Sequence, residues 1–330
     1  MQQRSKYHNS PLVLIALLLL FSGCEKKEYA LPVAENVLQN DVIKRSLGPN
    51  IVTQGIEFAY AMAIPPSKGK LLSAEVEASI PGATGTYLEN NSYFTNGSGV
   101  DVPVPVGTTS VTSGSKTTVT FNKDTAAATL RYFYIVPEAA RGKSVSFTFS
   151  TKSSNGEAVS YTMGPYTISK MDMIRSLTVT DGANAYISIA DMAVYNAATA
   201  ATKADKIDLV YLYRNITTSL FNHALVSPAA DVQYLPGITL PAGVNKSTQI
   251  RKAFGLQDKN LAQLQNGIYI DDVDFEKIDL SASPNFAINL VAESGIWVET
   301  ADKKYKAYIF INSINNGGKS AVISIKRYAF

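Results

Sequence analysis

Two stretches decide the fold of the first half: Leu130-Arg131-Tyr132-Phe133-Tyr134-Ile135-Val136 and Val145-Ser146-Phe147-Thr148-Phe149. In the second stretch apolar and small polar side chains alternate, which is the period of a strand with one buried face. The first stretch is bulky on both faces, which is typical of a central strand. Arg131 and Arg141 flank the turn that contains Glu138, and we predict a structural Arg–Glu ion pair there.

More strand candidates surround these two stretches at roughly even spacing. Turn signals separate them, such as Pro65-Pro66-Ser67-Lys68-Gly69 and Ser153-Ser154-Asn155-Gly156. Short strands that are rich in Val, Thr, Tyr and Phe favour a β-sandwich for residues 50–170. The further strand candidates of this half are Phe58–Ile64, Glu75–Ile80 and Thr117–Phe121.

The second half, residues 171–330, also has the pattern of a β-rich domain. A linking stretch at 171–175 lacks clear alternation, and one or two short helices are predicted, at Ala193–Ala204 and at Ile250–Leu264. The chain is therefore predicted to be mainly β, with two β-sandwich-like domains of immunoglobulin-like or jelly-roll-like type. The strand candidates of this half are Leu177–Thr180, Tyr186–Ile189, Lys206–Tyr213, Ala287–Val291, Gly295–Thr300, Lys306–Ile311 and Ala321–Ile325.

The amino terminus combines a basic start, Arg4 and Lys6, with the apolar run Leu12–Phe21. This run is too short to cross a bilayer core of about 30 Å as a helix. Two small residues follow it, which is typical of a secretory signal peptide. Cys24, the only cysteine, comes next, and its setting resembles the lipobox of bacterial lipoproteins. The resemblance implies cleavage before Cys24 and acylation of its sulfur and of the new amino terminus.

The expected organisation of the chain follows from these patterns. Residues 1–23 are the signal peptide, 24–49 the lipidated cysteine and a polar tether, 50–170 the N-terminal sandwich and 171–330 the C-terminal domain. Two or more acyl chains anchor a protein stably to a membrane. We therefore expect a protein held on the outer membrane and facing the cell exterior.

Composition excludes several classes of function. With 46% hydrophobic and 17% charged residues, the 330-residue chain buries a core and is not disordered. A net charge of +3 is too small for a nucleic-acid binder. One cysteine and two histidines exclude a disulfide framework and a Cys/His zinc site, and no cofactor is predicted.

Catalysis has weak support in the sequence, so no catalytic residue is predicted. Asp271, Asp272 and Asp274 form the densest acidic cluster, which we interpret as a solvated turn rather than a calcium or general acid site. His223 is the only histidine of the mature chain, and its flanking sequence indicates a strand edge. No Gly-x-Ser-x-Gly elbow accompanies it.

Ligand binding has better support, because 18 tyrosines and many asparagines are side chains that contact sugars and peptides. Tyr87, Tyr93 and Phe94 lie in the Asn/Ser/Gly-rich stretch Tyr87–Gly99, which we read as a loop. They are the first candidates for a ligand site, although packing under the loop is the plainer role. Trp297, the sole tryptophan, is a fourth candidate. It is predicted to lie on a strand, where its ring either packs in the core or forms an exposed platform on which a ligand stacks.

The run Asp124–Gly142 (DTAAATLRYFYIVPEAARG), with Met163-Gly164-Pro165-Tyr166, resembles a family of uncharacterised Bacteroidetes surface lipoproteins. That family is similar to accessory lipoproteins of SusC/SusD-type outer-membrane nutrient importers. The resemblance implies membrane attachment through the lipid, an importer complex as partner and a glycan or peptide as ligand.

Three hypotheses for function remain open at this point. The first is a non-enzymatic, lipid-anchored protein that binds a glycan or peptide, or docks on an importer, at the cell surface. The second is a fimbrillin-like structural subunit that exchanges strands after proteolysis near the amino terminus, with Arg45 as the cut site. The third is a glycosidase that uses two facing carboxylates.

Overall fold

The computed structural model describes residues 36–216, 221–264 and 266–330. The predicted signal peptide, Cys24 and the tether up to residue 35 lie outside these residues. Among the helices of the described residues, none has the length and apolar character needed to cross a membrane.

The first half consists of short antiparallel strands. Their bounds are β1 Gln39–Lys44, β2 Gly55–Ala63, β3 Leu71–Ala78, β4 Tyr87–Leu88, β5 Asn91–Thr95, β6 Asp101–Pro105, β7 Val111–Ser113, β8 Lys116–Thr120, β9 Ala127–Ile135, β10 Ser144–Ser153 and β11 Ala158–Thr167. One sheet has the order β1-β2-β9-β4 and the other the order β11-β10-β3-β8-β7, while β5 and β6 form a separate hairpin.

The two sheets of the first half enclose an aromatic core. Phe58 and Tyr60 on β2 face Phe147 and Phe149 on β10. Ring centroids lie 4.8 Å apart for Phe58 and Phe147 and 5.2 Å apart for Tyr60 and Phe149. Val145, Phe147 and Phe149 are buried while the residues between them are not, which confirms the one-sided strand that the alternation predicts.

The second half has two five-stranded sheets, with orders β12-β21-β20-β19-β17 and β14-β13-β15-β16-β18. The strands are β12 Met171–Thr180, β13 Asn184–Ser188, β14 Ala193–Asn196, β15 Leu209–Ile216, β16 Phe221–Val226, β17 Gln249–Ala253, β18 Phe286–Leu290, β19 Gly295–Glu299, β20 Tyr305–Asn315 and β21 Ser320–Ala329. The helices are α1 Ala197–Thr202, α2 Lys259–Ala262 and α3 Asp272–Lys277, with short 3-10 turns at Glu138–Ala140, Ala204–Lys206 and Val232–Tyr234.

Both faces of the sheets are covered in the second half. Ile187 and Leu209 from one sheet pack with Ile309 from the other in the cluster between them. On the outer face of the sheet β12-β21-β20-β19-β17, Trp297 and Tyr308 belong to a further buried cluster, which includes residues of helices α2 and α3. Strands buried on both faces have near-continuous apolar sequences. This explains runs such as those at 209–212 and 307–311, and the predicted mainly β, two-sandwich fold is confirmed.

Several predicted elements differ from the structure. The linking stretch 171–175 is the start of strand β12, and the predicted helix 193–204 is shortened to α1 because residues 193–196 form β14. Residues 39–44, assigned to the tether, form strand β1, which pairs with β2 from Gln39 opposite Ala63 onward. The predicted helix 250–264 is instead strand β17 followed by the single turn α2. Gly255 has a positive φ of 69°, which ends the strand, and Asp258 caps the helix that begins after it.

The two halves meet through charged and apolar contacts. Arg141 pairs with Glu138 at 2.5 Å, as predicted, and also reaches Asp172 on β12 at 2.6 Å. Asp172 in turn accepts a hydrogen bond from Arg327 on β21. Ile51 of the first half is buried in a cluster whose other members belong to the second half. The end of the first sandwich opposite the chain entry therefore contacts the second half.

Candidate functional site

The stretch predicted as an aromatic loop forms strand β4 and the hairpin β5–β6, which lies across the outer face of the first sheet. The Ser92 hydroxyl accepts a hydrogen bond from the Thr129 amide of β9 at 3.0 Å. Further along the hairpin, Asp101 accepts from Arg131 of β9 at 2.5 Å and lies 3.7 Å from Arg45, which follows β1. These contacts attach both strands of the hairpin to the sheet.

Arg131 is the centre of this attachment. Its side chain points outward because Leu130 and Tyr132 on either side of it are buried in the core. Its guanidinium lies over the Tyr93 ring, 3.8 Å from the ring centroid. The Tyr93 hydroxyl donates a hydrogen bond to Glu89, which raises the pKa of Tyr93 because the bond favours the neutral phenol. The hairpin is thus held by a charge pair and by a stacked ring.

A groove of about 470 Å³ lies beside the hairpin on the outer face of the sheet. Its floor is made of small side chains at outward-facing positions of β2 and β9, while β5 forms one wall and β1 the far side. The alanine side chains at these positions are single methyl groups, so the floor of the groove stays low. The lining residues are Gln39, Asn40, Asp41, Ala61, Met62, Ala63, Ser92, Tyr93, Phe94, Ala127, Ala128 and Thr129.

The groove combines apolar and hydrogen-bonding groups. Phe94 is 54% exposed at the wall, and Tyr93 is half-buried beside it. Asp41, Gln39 and Thr129 supply polar side chains on the far side and the floor. Aromatic faces bordered by carboxylate, amide and hydroxyl groups are the surfaces on which sugar rings stack and hydroxyl groups form hydrogen bonds.

Tyr87 is not in this groove. It stacks on Phe133, with ring centroids 4.9 Å apart, and lines a neighbouring cavity of about 360 Å³ with Asn90 and Thr112. Burial is the first cause that raises the pKa of Tyr87, followed by the charges of Glu89 and Glu57. Of the three aromatic residues proposed from the sequence, the structure therefore brings Tyr93 and Phe94 together and separates Tyr87.

Trp297 lies outside any candidate binding surface. It is 6% exposed on β19 and packs against Tyr308 at 4.8 Å and Phe275 at 5.3 Å between ring centroids. The proposal that it is a ligand residue is corrected, because a ring that is already covered by the core has no face left for a ligand.

The acidic cluster and His223 have structural partners. Asp271 caps helix α3 and forms a capping box with Asp274, while Asp272 accepts a hydrogen bond from the Lys170 amide at 2.9 Å. His223 is buried on β16 between the Tyr211 hydroxyl at 2.5 Å and the Asn316 side-chain oxygen at 2.7 Å. In the described part of the chain no group of three His, Cys, Asp or Glu residues is arranged to hold a metal ion.

The alanines of the groove floor were not predicted to belong to the site. Ala61, Ala63 and Ala127 come from two strands that are far apart in the chain and pair as neighbours, with Ala61 opposite Thr129 and Ala63 opposite Ala127. Asp41 comes from β1, within the stretch that we had assigned to the tether. The only available signal was the repeated alanine at alternate positions of predicted strands.

Comparison with known proteins identifies two family models that together cover the described chain. The domain of unknown function DUF4466 matches residues 35–168, and the domain of unknown function DUF8576 matches residues 169–330. No curated protein matches the chain.

Among solved structures, a DUF4466 family protein from Parabacteroides merdae is 48% identical. The match covers 89% of this chain and 99% of that chain, with a TM-score of 0.84. A C-terminal fragment of the major pilin GBS80 of Streptococcus agalactiae is 13% identical over 48% of this chain and 66% of that chain. Its TM-score of 0.29 is too low to bear on fold or function.

Proposed function

This chain belongs to the DUF4466 family, which has a member in the Bacteroidetes, and from that premise we propose that it is a non-enzymatic, lipid-anchored outer-membrane protein that binds a glycan for a nutrient importer. The groove beside the hairpin is the observation that carries the glycan-binding role. The lipid anchor is proposed from Cys24 and the sequence before it.

The shape and lining of the groove support a chain-like ligand. Its volume of about 470 Å³ lies in the range of ligand sites, yet it lies open on the face of a sheet instead of inside a core. Phe94 offers an exposed ring, and Asp41 offers a carboxylate that accepts hydrogen bonds from hydroxyl groups. An open groove with one aromatic wall suits a polysaccharide that passes through it better than a small molecule that must be enclosed.

The proposed partner is a SusC/SusD-type importer, and attachment of both proteins to one membrane would bring them together. The step from Cys24 to Val37 is 13 residues, which spans at most about 45 Å when extended. A tether of that length keeps the groove close to a channel in the same membrane. Purification of the lipidated protein from its native membrane, followed by mass spectrometry of co-purifying proteins, tests this partner. Absence of any importer component would contradict it.

Filling the groove tests the glycan proposal directly. Ala61 faces outward on β2 at the groove floor, so Ala61→Trp occupies the groove without entering the core. We expect the wild-type protein to bind at least one of amylose, xylan, mannan and arabinogalactan in calorimetric titrations. Ala61→Trp should weaken that binding more than tenfold.

The matched control places the same side chain on the other sheet. Ser150 faces outward on β10, away from the groove, and Ser150→Trp should bind as the wild type does. Equal loss in both variants would place the binding elsewhere. If the wild type bound none of these four glycans, the result would contradict the glycan-binding role.

One observation favours the fimbrillin-like alternative enough to test it. Strand β1 is an edge strand that pairs only with β2 within its sheet in the described residues, and Arg45 follows it directly. Cleavage after Arg45 would detach β1 and leave β2 open to a strand from another subunit. Arg45 is however ion-paired with Glu57 at 3.0 Å, which holds the site closed. The test is treatment with an arginine-specific protease. If the wild type then forms filaments and Arg45→Ala does not, the result would support the fimbrillin-like function over the glycan-binding one.

A further inference from the structure

Residues 37 and 38 lead into strand β1 at one end of the first sandwich, and three loops lie at the same end. The Leu38 amide donates a hydrogen bond to Glu157 at 2.6 Å, which ties the entry to one of these loops. The Ser154 amide of the same loop donates to the Lys70 carbonyl at 2.8 Å, which ties it to a second. The loops span residues 64–70, 121–126 and 154–157.

Four lysines are exposed at this end of the sandwich. We call them the lysine end: Lys68, Lys70, Lys123 and Lys152. Within the described residues only Lys70 has an ion pair, 3.8 Å from Asp124. The other three have no carboxylate within ion-pair distance in the part of the chain that the structure describes. Three exposed lysines at this end therefore have no ion-pair partner among the described residues.

The acidic groups at this end have other partners. Glu157 accepts the hydrogen bond from Leu38 and another from the Asn155 side chain at 2.8 Å. Asp41 lies on the outer face of β1 and accepts from the Val42 amide at 2.8 Å. These neutral donors leave the carboxylate charges in place, but the four lysines outnumber Asp124 and Glu157, so the surface that the loops form has a net positive charge.

The second half lies at the opposite end of the first sandwich. Ile51, in the connection from β1 to β2, is buried in a cluster of the second half. Arg141, between β9 and β10, reaches Asp172. Both connections are at the end of the sheets away from Leu38. The lysine end is thus free of the rest of the described chain and is the end from which residues 24–36 depart.

We propose that the lysine end docks on a membrane surface made of anionic lipid headgroups. Each lysine near such a surface strengthens binding by about fivefold, and the attraction falls off within a Debye length of about 8 Å at physiological salt. A lipid on Cys24 would tether the lysine end to the same membrane and so let the lysines reach its surface, and the orientation therefore rests on the proposed anchor. The second half then points away from the bilayer, and the groove lies close to the membrane.

Vesicle binding of the unlipidated chain from Glu25 onward tests the surface apart from the anchor. We expect binding to vesicles of phosphatidylcholine that contain phosphatidylglycerol, weak binding to phosphatidylcholine alone, and loss of the difference at high salt. Lys68→Glu, Lys123→Glu and Lys152→Glu combined should reduce binding to the anionic vesicles by about 100-fold or more.

The control reverses three exposed lysines of the second half, Lys277, Lys303 and Lys319, and so changes net charge equally. This control should keep most of the binding. Equal loss in both triple variants, or equal binding to both kinds of vesicle, would overturn the proposal. Because no lipid is attached in this experiment, a failure here leaves the lipid anchor and the glycan groove to be judged by their own tests.

Discussion

The guanidinium carbon of Arg131 lies 3.8 Å from the centre of the Tyr93 ring. The same side chain pairs with Asp101 on the other strand of the hairpin at 2.5 Å. One residue of the sheet therefore holds both strands of β5–β6 in place, and through them the wall of the groove. With the hydrogen bond from the Thr129 amide to Ser92, these two contacts of Arg131 attach the hairpin to the sheet.

We expect Arg131→Ala to loosen the hairpin while the sandwich stays folded. A cation–π contact contributes about 0.5–1 kcal/mol at such a site, and a partly exposed ion pair about 0.2–1 kcal/mol. Loss of both should cost about 1–2 kcal/mol in urea unfolding and speed proteolysis at the exposed tip, residues 96–100. Lys116→Ala, which removes an ion pair on the other sheet, should leave the tip protected. Unchanged cleavage in Arg131→Ala would contradict this account of the hairpin.

Asp172→Ala should uncouple the two halves. Asp172 is 18% exposed and accepts hydrogen bonds from Arg141 of the first half and Arg327 of the second. Removing it leaves two partly buried arginines without their shared carboxylate, at a cost of about 2–3 kcal/mol. We expect a single calorimetric transition in the wild type to separate into two in the variant.

The control for Asp172→Ala is an ion pair within one half. Asp181 pairs with Arg214 at 2.5 Å, both in the second half. Asp181→Ala should lower the stability of that half without lowering the coupling between halves. A single transition that persists in Asp172→Ala would mean that apolar contacts around Ile51 carry the coupling instead.

The strands could be predicted from the sequence where one face or both faces are apolar. Phe147 and Phe149 show this, since their alternation alone identifies the buried face of β10. Strand β1 (QNDVIK) escaped prediction because only Val42 among its residues is buried. The false helix at 250–264 arose because Ser247 or Thr248 has the pattern of a helix start and Asn266-Gly267 that of a helix stop. Pairing of β17 with β19 overrode that local pattern.

The candidate site was predictable only in part. Tyr93 and Phe94 could be identified because large rings in a polar stretch are seldom all buried. Trp297 is also an aromatic residue that could stack on a ligand. Its ring is buried, however, by residues of helices that are distant in sequence. The groove floor required the pairing of β2 with β9, a long-range contact that a single sequence does not contain.

Asp191 should make stability depend on acid pH. Burial alone would raise the pKa of this carboxyl, but hydrogen bonds from Lys206, Tyr195 and Lys203 outweigh it and lower the pKa to about 2. A lowered pKa stabilises the fold above the ordinary value of 3.8, and this contribution is lost as pH falls through about 2.

The stability difference between wild type and Asp191→Asn should therefore be about 1 kcal/mol at neutral pH, after solvent screening, and should vanish between pH about 4 and about 2. Urea unfolding across this range measures it. Asp205→Asn, which removes an exposed neighbouring carboxylate and changes net charge equally, should lower the stability at neutral pH less than Asp191→Asn does. A constant difference for Asp191→Asn at all pH values would contradict the assignment.

Lys326 and Asp258 form a fully buried ion pair of 2.6 Å in the second half. Burial lowers the pKa of Lys326, and the charge of Asp258 opposes that effect. Lys326→Met leaves the buried Asp258 carboxylate without an opposite charge, which should cost about 3–5 kcal/mol. The double variant Lys326→Met with Asp258→Asn removes both charges, while the asparagine oxygen still accepts from the Leu261 or Ile270 amide. It should therefore recover most of that loss in urea unfolding. A double variant as unstable as Lys326→Met would mean that the ammonium is needed for its bonds to Asn260 and the Ile270 carbonyl, and not to neutralise the carboxylate.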